Sequence, residues 1–114
     1  MLILYGHPFS SYTWKALIAL YASDVPFEVR AVDAQYPEHI AAVQAASPLG
    51  KFPLLEDGEI QIFEATSIIE YLNIRHPGPE VLIPNDPAAA VGMRMLDRVF
   101  DNYVMTPMSA IVQE

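Results

Sequence analysis

The sequence predicts an α/β domain, with a mixed four-stranded sheet flanked by helices, followed by one further helix. Three observations carry this prediction: a strand–helix–strand pattern over residues 2–32, a hairpin signal at Asp57–Gly58, and an amphipathic helical pattern directly after the hairpin. The chain has 114 residues, 53% of them hydrophobic, which is enough for one domain with a substantial core but not for a second complete domain.

The first unit begins with Leu2–Tyr5, a short and almost continuous apolar run that is typical of a central strand buried on both faces. A helix is predicted to start at Ser10 or Ser11, because serine is a preferred N-cap. Apolar residues then recur at helical spacing: Trp14, Leu17, Ile18 and Tyr21. The alternating run Phe27–Val32 predicts a half-exposed edge strand, so the unit is a strand–helix–strand crossover of the usual right-handed kind.

A hairpin follows a second, alanine-rich helix predicted over Glu38–Ala46. Its two strands are Phe52–Leu55 and Ile60–Phe63, and Asp57–Gly58 between apolar runs is a strong signal for a tight turn. The two strands are therefore expected to pair antiparallel.

Pro53 is the unusual residue of this hairpin, because proline has no N–H to give to a sheet and belongs at an edge, a strand start or a bulge. A cis Phe52–Pro53 bond would suit the position by turning the Phe52 main chain outward, with its N–H and C=O unpaired by the sheet. Unpaired main-chain groups at a surface can bind a peptide.

The third helix is predicted to open near Glu64 and to end at His76–Pro77. The proline-containing residues 79–86 then predict a linker. This divides the chain into a domain over residues 1–78, the linker, and a helical segment over residues 87–114.

The last helix is predicted to begin at Asp86–Pro87, which supply a cap and an N1 proline, and to be kinked or ended by Thr106–Pro107. It carries a broad apolar stripe: Val91, Met95, Leu96, Val99, Phe100 and Tyr103. Because an uncovered apolar patch marks an interface, we expect a homodimer or a missing domain to cover this stripe.

Charge and composition exclude several classes of function. With 14 acidic and only six basic residues, the chain has a net charge of −8 and lacks the clustered Lys and Arg that bind nucleic acid or an anionic membrane. The absence of cysteine excludes disulfides, thiolate metal sites and dithiol redox chemistry, and three scattered histidines predict no metal site. Without an apolar run near 18 residues or a signal segment, a cytoplasmic protein is expected.

The order of the elements and three motifs resemble the glutathione S-transferases, whose N-terminal domain is thioredoxin-like. Residues 47–58, SPLGKFPLLEDG, are similar to the family pattern Asn-Pro-x-Gly-Lys-Val-Pro-x-Leu-x-Asp-Gly with its cis-proline. Residues 64–72, EATSIIEYL, are similar to Glu-Ser-x-Ala-Ile-x-x-Tyr-Leu, and residues 10–15, SSYTWK, fit the serine-type catalytic loop. The resemblance covers residues 1 to about 80, and residues 87–114 look like the first helix of the family's all-helical second domain. It implies the sheet order 2-1-3-4 with the last strand antiparallel.

The resemblance implies that Ser10, or else Ser11, stabilises the thiolate of glutathione. A free thiol has a pKa of about 8.5, and a helix N-terminus with nearby donors lowers it to about 3.5–7.5. A serine hydroxyl at the head of the first helix would donate to the sulfur, while the helix amides favour the anion. The alternative is that either serine only caps the helix, and of the two Ser10 is the favoured thiol ligand.

The resemblance also assigns residues to the rest of glutathione. The Phe52 main chain, next to Pro53, would pair with the cysteinyl part like an added strand. Lys51 and, as the second candidate, His39 would reach the glycyl carboxylate. His7 and His76 lie in predicted turns and are expected to have no specific role.

At the γ-glutamyl end, Glu64 would bind the ammonium, and the helix N–H groups at Ala65 and Thr66 would bind the α-carboxylate. Ala65 departs from the family pattern, which has a serine there, so one hydroxyl donor is lost unless Thr66, Ser67 or an amide replaces it. This departure bears on affinity for glutathione and not on the fold.

The predicted function is therefore that of a glutathione transferase, with glutathione as substrate or cofactor and an electrophilic small molecule as second substrate. Conjugation, isomerisation, dehalogenation and ether cleavage share one thiolate site. The alternative is a glutathione-binding or protein-interaction module with the same fold and no catalysis, which Ala65 and the short second domain favour. A dithiol oxidoreductase is excluded because cysteine is absent.

Overall fold

The computed structural model describes residues 1–108. Four strands and four α-helices occur there in the predicted order: β1 Leu2–Gly6, α1 Ser11–Ala22, β2 Phe27–Ala31, α2 Pro37–Ala46, β3 Leu54–Asp57, β4 Ile60–Phe63, α3 Ala65–Arg75 and α4 Pro87–Phe100. A π-helical turn, Asp101–Met105, extends α4, and residues 106–108 are again α-helical. The last part of the predicted helical segment, residues 109–114, lies outside the described residues.

The four strands form one mixed sheet in the order β2-β1-β3-β4, which confirms the predicted fold class and strand order. β1 pairs parallel with β2 and antiparallel with β3, and β4 pairs antiparallel with β3. The last strand is thus antiparallel to its neighbour, but the strand that opposes the other three is β3. The reason is that the chain enters β3 in the reverse direction after α2, and the Asp57–Gly58 turn then reverses it once more.

The core has two layers, one on each face of the sheet. On one face, α1 and α3 pack against β1 and β3, and the buried residues of this layer include Leu2, Leu4, Leu20, Leu55, Ile68 and Leu72. On the other face, Val43 of α2 packs against Tyr5 and Leu54. Burying one such aliphatic side chain stabilises the fold by about 1.5–3 kcal/mol, so these two layers fix the positions of the loops at the sheet edge.

Apart from Leu20 and the partly buried Leu17, the side of helix α1 that faces the sheet carries small residues. Its buried positions are Thr13, Ala16, Ala19 and Leu20, whereas the large apolar residues at helical spacing, Trp14, Ile18 and Tyr21, are exposed. The helix begins very close to the end of β1, where a Cβ on Gly6 would lie 2.3 Å from Thr13 Cγ2. This close approach selects small side chains for the inner face of α1.

Three partly buried polar side chains, those of Tyr71, His76 and Asp57, join the end of α3 to the hairpin. The Tyr71 hydroxyl donates to Asp57 Oδ2 at 2.5 Å, and His76 Nε2 lies 2.8 Å from the same oxygen. The hydrogen bonds from Tyr71 and His76 hold the pKa of Asp57 below its ordinary value of 3.8, and the same carboxylate raises the pKa of Tyr71. The expectation that His76 has no specific role is therefore wrong.

Helix α4 begins as predicted, with Pro87 at its first turn and the Asp86 carboxylate accepting a hydrogen bond from the Ala89 N–H at 2.9 Å. It does not end at Thr106–Pro107; instead the widened turn Asp101–Met105 directly precedes this pair. The apolar stripe of α4 is exposed along its length. None of the helices in residues 1–108 combines the length and the apolar character that crossing a bilayer requires.

Candidate functional site

A cleft of about 950 Å³ lies between the β1–α1 loop, the loop before β3, the start of α3 and the end of α4. It is lined by seven of the nine predicted site residues: Ser10, Ser11, Lys51, Phe52, Pro53, Glu64 and Ala65. The other two, His39 and Thr66, are not among its lining residues. No group of three potential metal ligands occurs in the part of the chain that the structure describes.

Ser10 is the N-cap of α1, and its hydroxyl oxygen accepts a hydrogen bond from the Thr13 N–H at 3.2 Å. The loop before it is held in place, because the Ser10 N–H donates to the His7 carbonyl at 3.0 Å. A hydroxyl has one donor and two acceptor sites. Capping uses one acceptor site only, so the Ser10 O–H is left to donate to a ligand in the cleft.

The Phe52–Pro53 peptide bond is cis. β3 begins only at Leu54, where it pairs with Tyr5 of β1 and Phe63 of β4. The main-chain N–H and C=O of Phe52 form no hydrogen bond with any residue in 1–108. These two main-chain groups lie just before the start of β3 and are unpaired, so an extended peptide can bind to them.

Glu64 stands at the start of α3 with φ 75° and ψ 122°, a backbone conformation that L-residues rarely adopt. Its carbonyl accepts the first helical hydrogen bond, from the Ile68 N–H at 3.0 Å, but its carboxylate does not cap the helix. The carboxylate is thus available to a cation in the cleft. The amides of the first turn, beginning at Ala65, offer an anion site beside it.

The Thr66 side chain is engaged outside the cleft. Its hydroxyl donates to Asp97 Oδ2 at 2.7 Å and accepts from Lys15 Nζ at 3.1 Å, so it faces α4 and not the start of the cleft. The hydroxyl that Ala65 lacks is therefore not replaced by that of Thr66. Only the Thr66 main-chain amide remains for the predicted contact.

His39 lies in α2, on the face of the sheet opposite to α1 and α3. Its Nδ1 lies 2.6 Å from the Ala31 carbonyl, and its ring stacks on that of Tyr36 with centroids 4.9 Å apart. These contacts tie α2 to the end of β2. They leave His39 away from the cleft lining, whereas Lys51 lies in it with an exposed side chain.

The wall of the cleft formed by α4 was not predicted from the sequence. Lys15 contacts Asp97 and lies 2.9 Å from Asp101 Oδ1, and their side chains are only 16%, 14% and 9% exposed. Burial raises the pKa of Asp97, but the hydrogen bonds from Lys15 and Thr66 outweigh burial and hold that pKa below its ordinary value. This polar junction joins α1 and α3 to α4.

Two further groups of the junction reach the cleft itself. Arg98 contacts Asp101 Oδ2 and donates to the Thr66 hydroxyl at 2.8 Å. The Tyr12 hydroxyl donates to the Asp101 carbonyl at 3.1 Å. All three of Arg98, Asp101 and Tyr12 line the cleft. The junction therefore fixes the distance between the α4 wall and the thioredoxin-like wall.

His7, for which no role is expected, also lies in the cleft wall. Its Nδ1 accepts a hydrogen bond from the Phe9 N–H at 3.1 Å, so the neutral ring carries its proton on Nε2. Its ring centroid lies 5.4 Å from that of Phe9 and 6.2 Å from that of Phe52. The β1–α1 loop thus adds an aromatic surface to the cleft.

Comparison with known proteins places this geometry in a family. The sequence profile of the glutathione S-transferase N-terminal domain matches residues 4–80. A glutathione S-transferase of Silene vulgaris is 38% identical over 74 residues, which are 64% of this chain and 34% of that protein. A probable maleylacetoacetate isomerase of Caenorhabditis elegans is 36% identical over 86 residues, which are 75% of this chain and 39% of that protein.

Among solved structures, the β-etherase LigF of Sphingobium sp. strain SYK-6 superposes with a TM-score of 0.82 at 29% identity, covering 96% of this chain and 46% of that one. The chain thus spans less than half the length of each of these proteins. The profile match extends over more than half of the chain and includes the β1–α1 loop, the cis-proline loop and the start of α3. The chain therefore belongs to the glutathione S-transferase family.

Proposed function

We propose that the chain binds glutathione in this cleft and stabilises its thiolate for attack on an electrophilic small molecule. The observation that carries the proposal is that three different groups meet in one cleft: the Ser10 hydroxyl at a helix start, the unpaired Phe52 main chain and the free Glu64 carboxylate. Together they offer a thiol donor, a peptide edge and a cation-binding group.

The thiolate is stabilised electrostatically. The Ser10 O–H, which capping leaves free, donates to the sulfur, and the N-terminus of α1 favours the negative charge. In the described residues no base is hydrogen-bonded to the Ser10 hydroxyl, so the serine acts as a hydrogen-bond donor and not as a nucleophile. Ser11, also in the cleft, is the second choice for this role.

The tripeptide lies along the edge formed by Phe52 and cis-Pro53. Its cysteinyl main chain pairs with Phe52, and its glycyl carboxylate is bound by Lys51. Its γ-glutamyl end is bound by the Glu64 carboxylate and by the amides of Ala65 and Thr66 at the start of α3. We do not extend these contacts to the His39 side chain or the Thr66 hydroxyl, because both are engaged elsewhere.

The domain assignment follows from the same site. Residues 1–78 form the glutathione-binding domain, residues 79–86 the linker, and the segment from residue 87 onward the first helix of a second, helical domain.

The named relatives include a transferase, an isomerase and a β-etherase, and one thiolate site can serve all three reactions. The proposed setting is the cytoplasm, where glutathione is the main soluble thiol, and the proposed assembly is a homodimer.

The test combines calorimetric titration with glutathione and a thiol-conjugation assay on the unmodified chain, Ser10→Ala and Ser11→Ala. Because a hydrogen bond to a charged group contributes about 1.5–3 kcal/mol, Ser10→Ala should lower the conjugation rate by roughly 10- to 100-fold and raise the pKa of the bound thiol. Ser11→Ala should change neither the conjugation rate nor the pKa of the bound thiol strongly. Conjugation and thiol pKa that are unchanged in Ser10→Ala would contradict the assignment.

A second candidate function is a glutathione-binding module without catalysis. One observation favours it: the missing hydroxyl at Ala65, which the Thr66 hydroxyl does not replace. Titration and assay separate the two candidates. Binding of glutathione by the unmodified chain without turnover of an electrophile would select the module.

A further inference from the structure

Two serine hydroxyls, those of Ser23 and Ser47, are buried without a hydrogen-bond partner in the described residues. The two residues are 3% and 2% exposed. Most buried polar side-chain atoms in folded proteins have a partner, and an unpartnered one calls for an explanation such as a ligand or an ordered water. The positions of these two serines in the fold differ, and that difference points to a function for one of them.

Ser47 lies at the end of α2 and borders the cleft. Its main chain is fully used, since its N–H donates to the Val43 carbonyl at 2.8 Å and its carbonyl accepts from the Gly50 N–H at 2.9 Å. This turn leads directly to Lys51 and Phe52. The residue is therefore held firmly beside the predicted binding edge, with its hydroxyl as the one polar group left over.

Ser23 also has a buried hydroxyl without a hydrogen-bond partner, but it does not border the cleft. It caps the C-terminal end of α1, and its N–H donates to the Ala19 carbonyl at 3.0 Å. Gly78 packs against it so closely that a Cβ there would lie 2.4 Å from the Ser23 carbonyl oxygen. Ser23 is not among the residues that line the cleft, so it serves as an internal reference for Ser47.

We propose that the Ser47 hydroxyl is a ligand-binding group of the cleft, and that it donates a hydrogen bond to the glycyl carboxylate of glutathione. This inference rests on the proposed function. Lys51, the residue assigned to that carboxylate, follows Ser47 by four positions on the same loop, and Phe52, assigned to the cysteinyl part, comes directly after Lys51. The hydroxyl oxygen is buried and residues 48–51 beside it are exposed, so binding requires this loop to move and open the hydroxyl to the ligand.

The experiment compares Ser47→Ala with Ser23→Ala in the full chain. Thermal unfolding is measured without ligand, and Kd is measured by calorimetry for glutathione and for γ-glutamylcysteine, which lacks the glycine. Each substitution removes an unpartnered buried hydroxyl, so neither should lower the unfolding temperature. Only Ser47→Ala should weaken glutathione binding, by about 10- to 100-fold, as expected for one hydrogen bond to a charged group. Its Kd for γ-glutamylcysteine should match that of the unmodified chain.

Ser47→Thr keeps the hydroxyl and should retain the affinity for glutathione, which gives a second readout if the alanine variant does not fold. Equal affinities in Ser47→Ala and Ser23→Ala would overturn the inference. So would an equal loss for both peptides, because the hydroxyl would then act on the loop and not on the glycyl end. If the unmodified chain binds neither peptide, the proposed function itself fails, and the inference fails with it.

Discussion

Helices α3 and α4 follow one another in the chain, yet they attach to the domain by opposite kinds of surface. α3 buries Ile68 and Leu72 against the sheet, as an amphipathic helix usually does. α4 buries a single alanine, Ala90, and otherwise contacts the domain through the polar junction of Asp97 and Asp101 with Lys15. Its apolar stripe faces the other way.

The contrast supports the proposal that the two helices belong to different packing units. α3 is part of the core of the thioredoxin-like domain. α4 is held to this domain by hydrogen bonds and ion pairs, which fix its direction, while the surface it would bury in a core remains uncovered. A helix of this kind is suited to start a second domain, in agreement with the proposed domain boundary after residue 78.

The largest effect is expected for the apolar attachment of α3. Ile68 is fully buried, and Ile68→Ala should lower the free energy of unfolding by about 4 kcal/mol, because it removes buried methyl groups and leaves a cavity. Ile74, on the same helix but 71% exposed, supplies the matched control, and Ile74→Ala should change stability by less than about 0.5 kcal/mol. Urea unfolding measures both. Similar losses in the two variants would contradict the contrast.

The polar attachment of α4 comes next. Lys15→Met leaves Asp97 and Asp101 largely buried with Arg98 as their remaining cation, and should cost about 3 kcal/mol, at the lower end of what breaking a buried ion pair costs. Arg94→Met is the control, because it breaks an exposed pair with Glu70 that also joins α4 to the domain, through α3. That pair should contribute no more than about 1 kcal/mol.

An equal cost for Lys15→Met and Arg94→Met in urea unfolding would show that burial of the junction does not matter. A far-ultraviolet circular dichroism spectrum separates loss of the α4 attachment from global unfolding. If only the attachment of α4 is lost, the thioredoxin-like domain should still unfold cooperatively. If the whole chain is destabilised, the entire circular dichroism signal should be lost at a lower urea concentration.

The local elements were predictable from the sequence because each is set by neighbouring residues. Ser10 and Asp86 cap the helices that they precede, and Asp57–Gly58 turns the hairpin, since capping and turn chemistry act over a few positions. The order of the strands followed from these elements together with the family resemblance. The seven predicted residues in the cleft were assigned from the resemblance of three short motifs to the family pattern.

Contacts between distant residues were not predictable in this way. Lys15 and Asp101 lie 86 positions apart, and no local pattern indicates that they meet. The direction of the Thr66 side chain depends on that junction, so the sequence left open whether its hydroxyl replaces the one that Ala65 lacks, whereas in the structure it faces α4. Likewise, apolar spacing alone did not show that α1 would turn Trp14 and Ile18 outward, because the limit on its inner face is the close approach of β1.

A third and smaller effect is expected at the C-terminal end of α3, where Tyr71 binds Asp57. Tyr71→Phe should cost about 1.5 kcal/mol at neutral pH, because the carboxylate loses one donor but keeps His76. The folded state lowers the pKa of Asp57, so this stabilisation is fully present above the ordinary value of 3.8 and is lost as the pH falls through the lower, folded-state pKa.

The measurement is urea unfolding of the unmodified chain and of Tyr71→Phe, from about pH 5 down to about pH 3. The stability difference between them should be constant at the upper end and shrink toward the lower end. Tyr103→Phe, at an exposed tyrosine of the π-helical turn, is the control and should show no such trend. A difference that stays constant down to pH 3 would mean that Tyr71 acts by packing and not through the Asp57 carboxylate.

The smallest effect on stability, and the sharpest test of the contrast, is expected on the outer face of α4. Leu96 is exposed in the middle of the apolar stripe, so Leu96→Lys should leave the free energy of unfolding of the isolated chain nearly unchanged. It should nevertheless shift the chain toward monomer in sedimentation velocity, because a charge in the centre of an apolar interface is costly to desolvate. Ile74→Lys places the same charge on exposed α3 and should leave the sedimentation coefficient unchanged. If both variants sediment like the unmodified chain, the stripe of α4 is not the surface through which two copies associate, and the proposed homodimer must use another face.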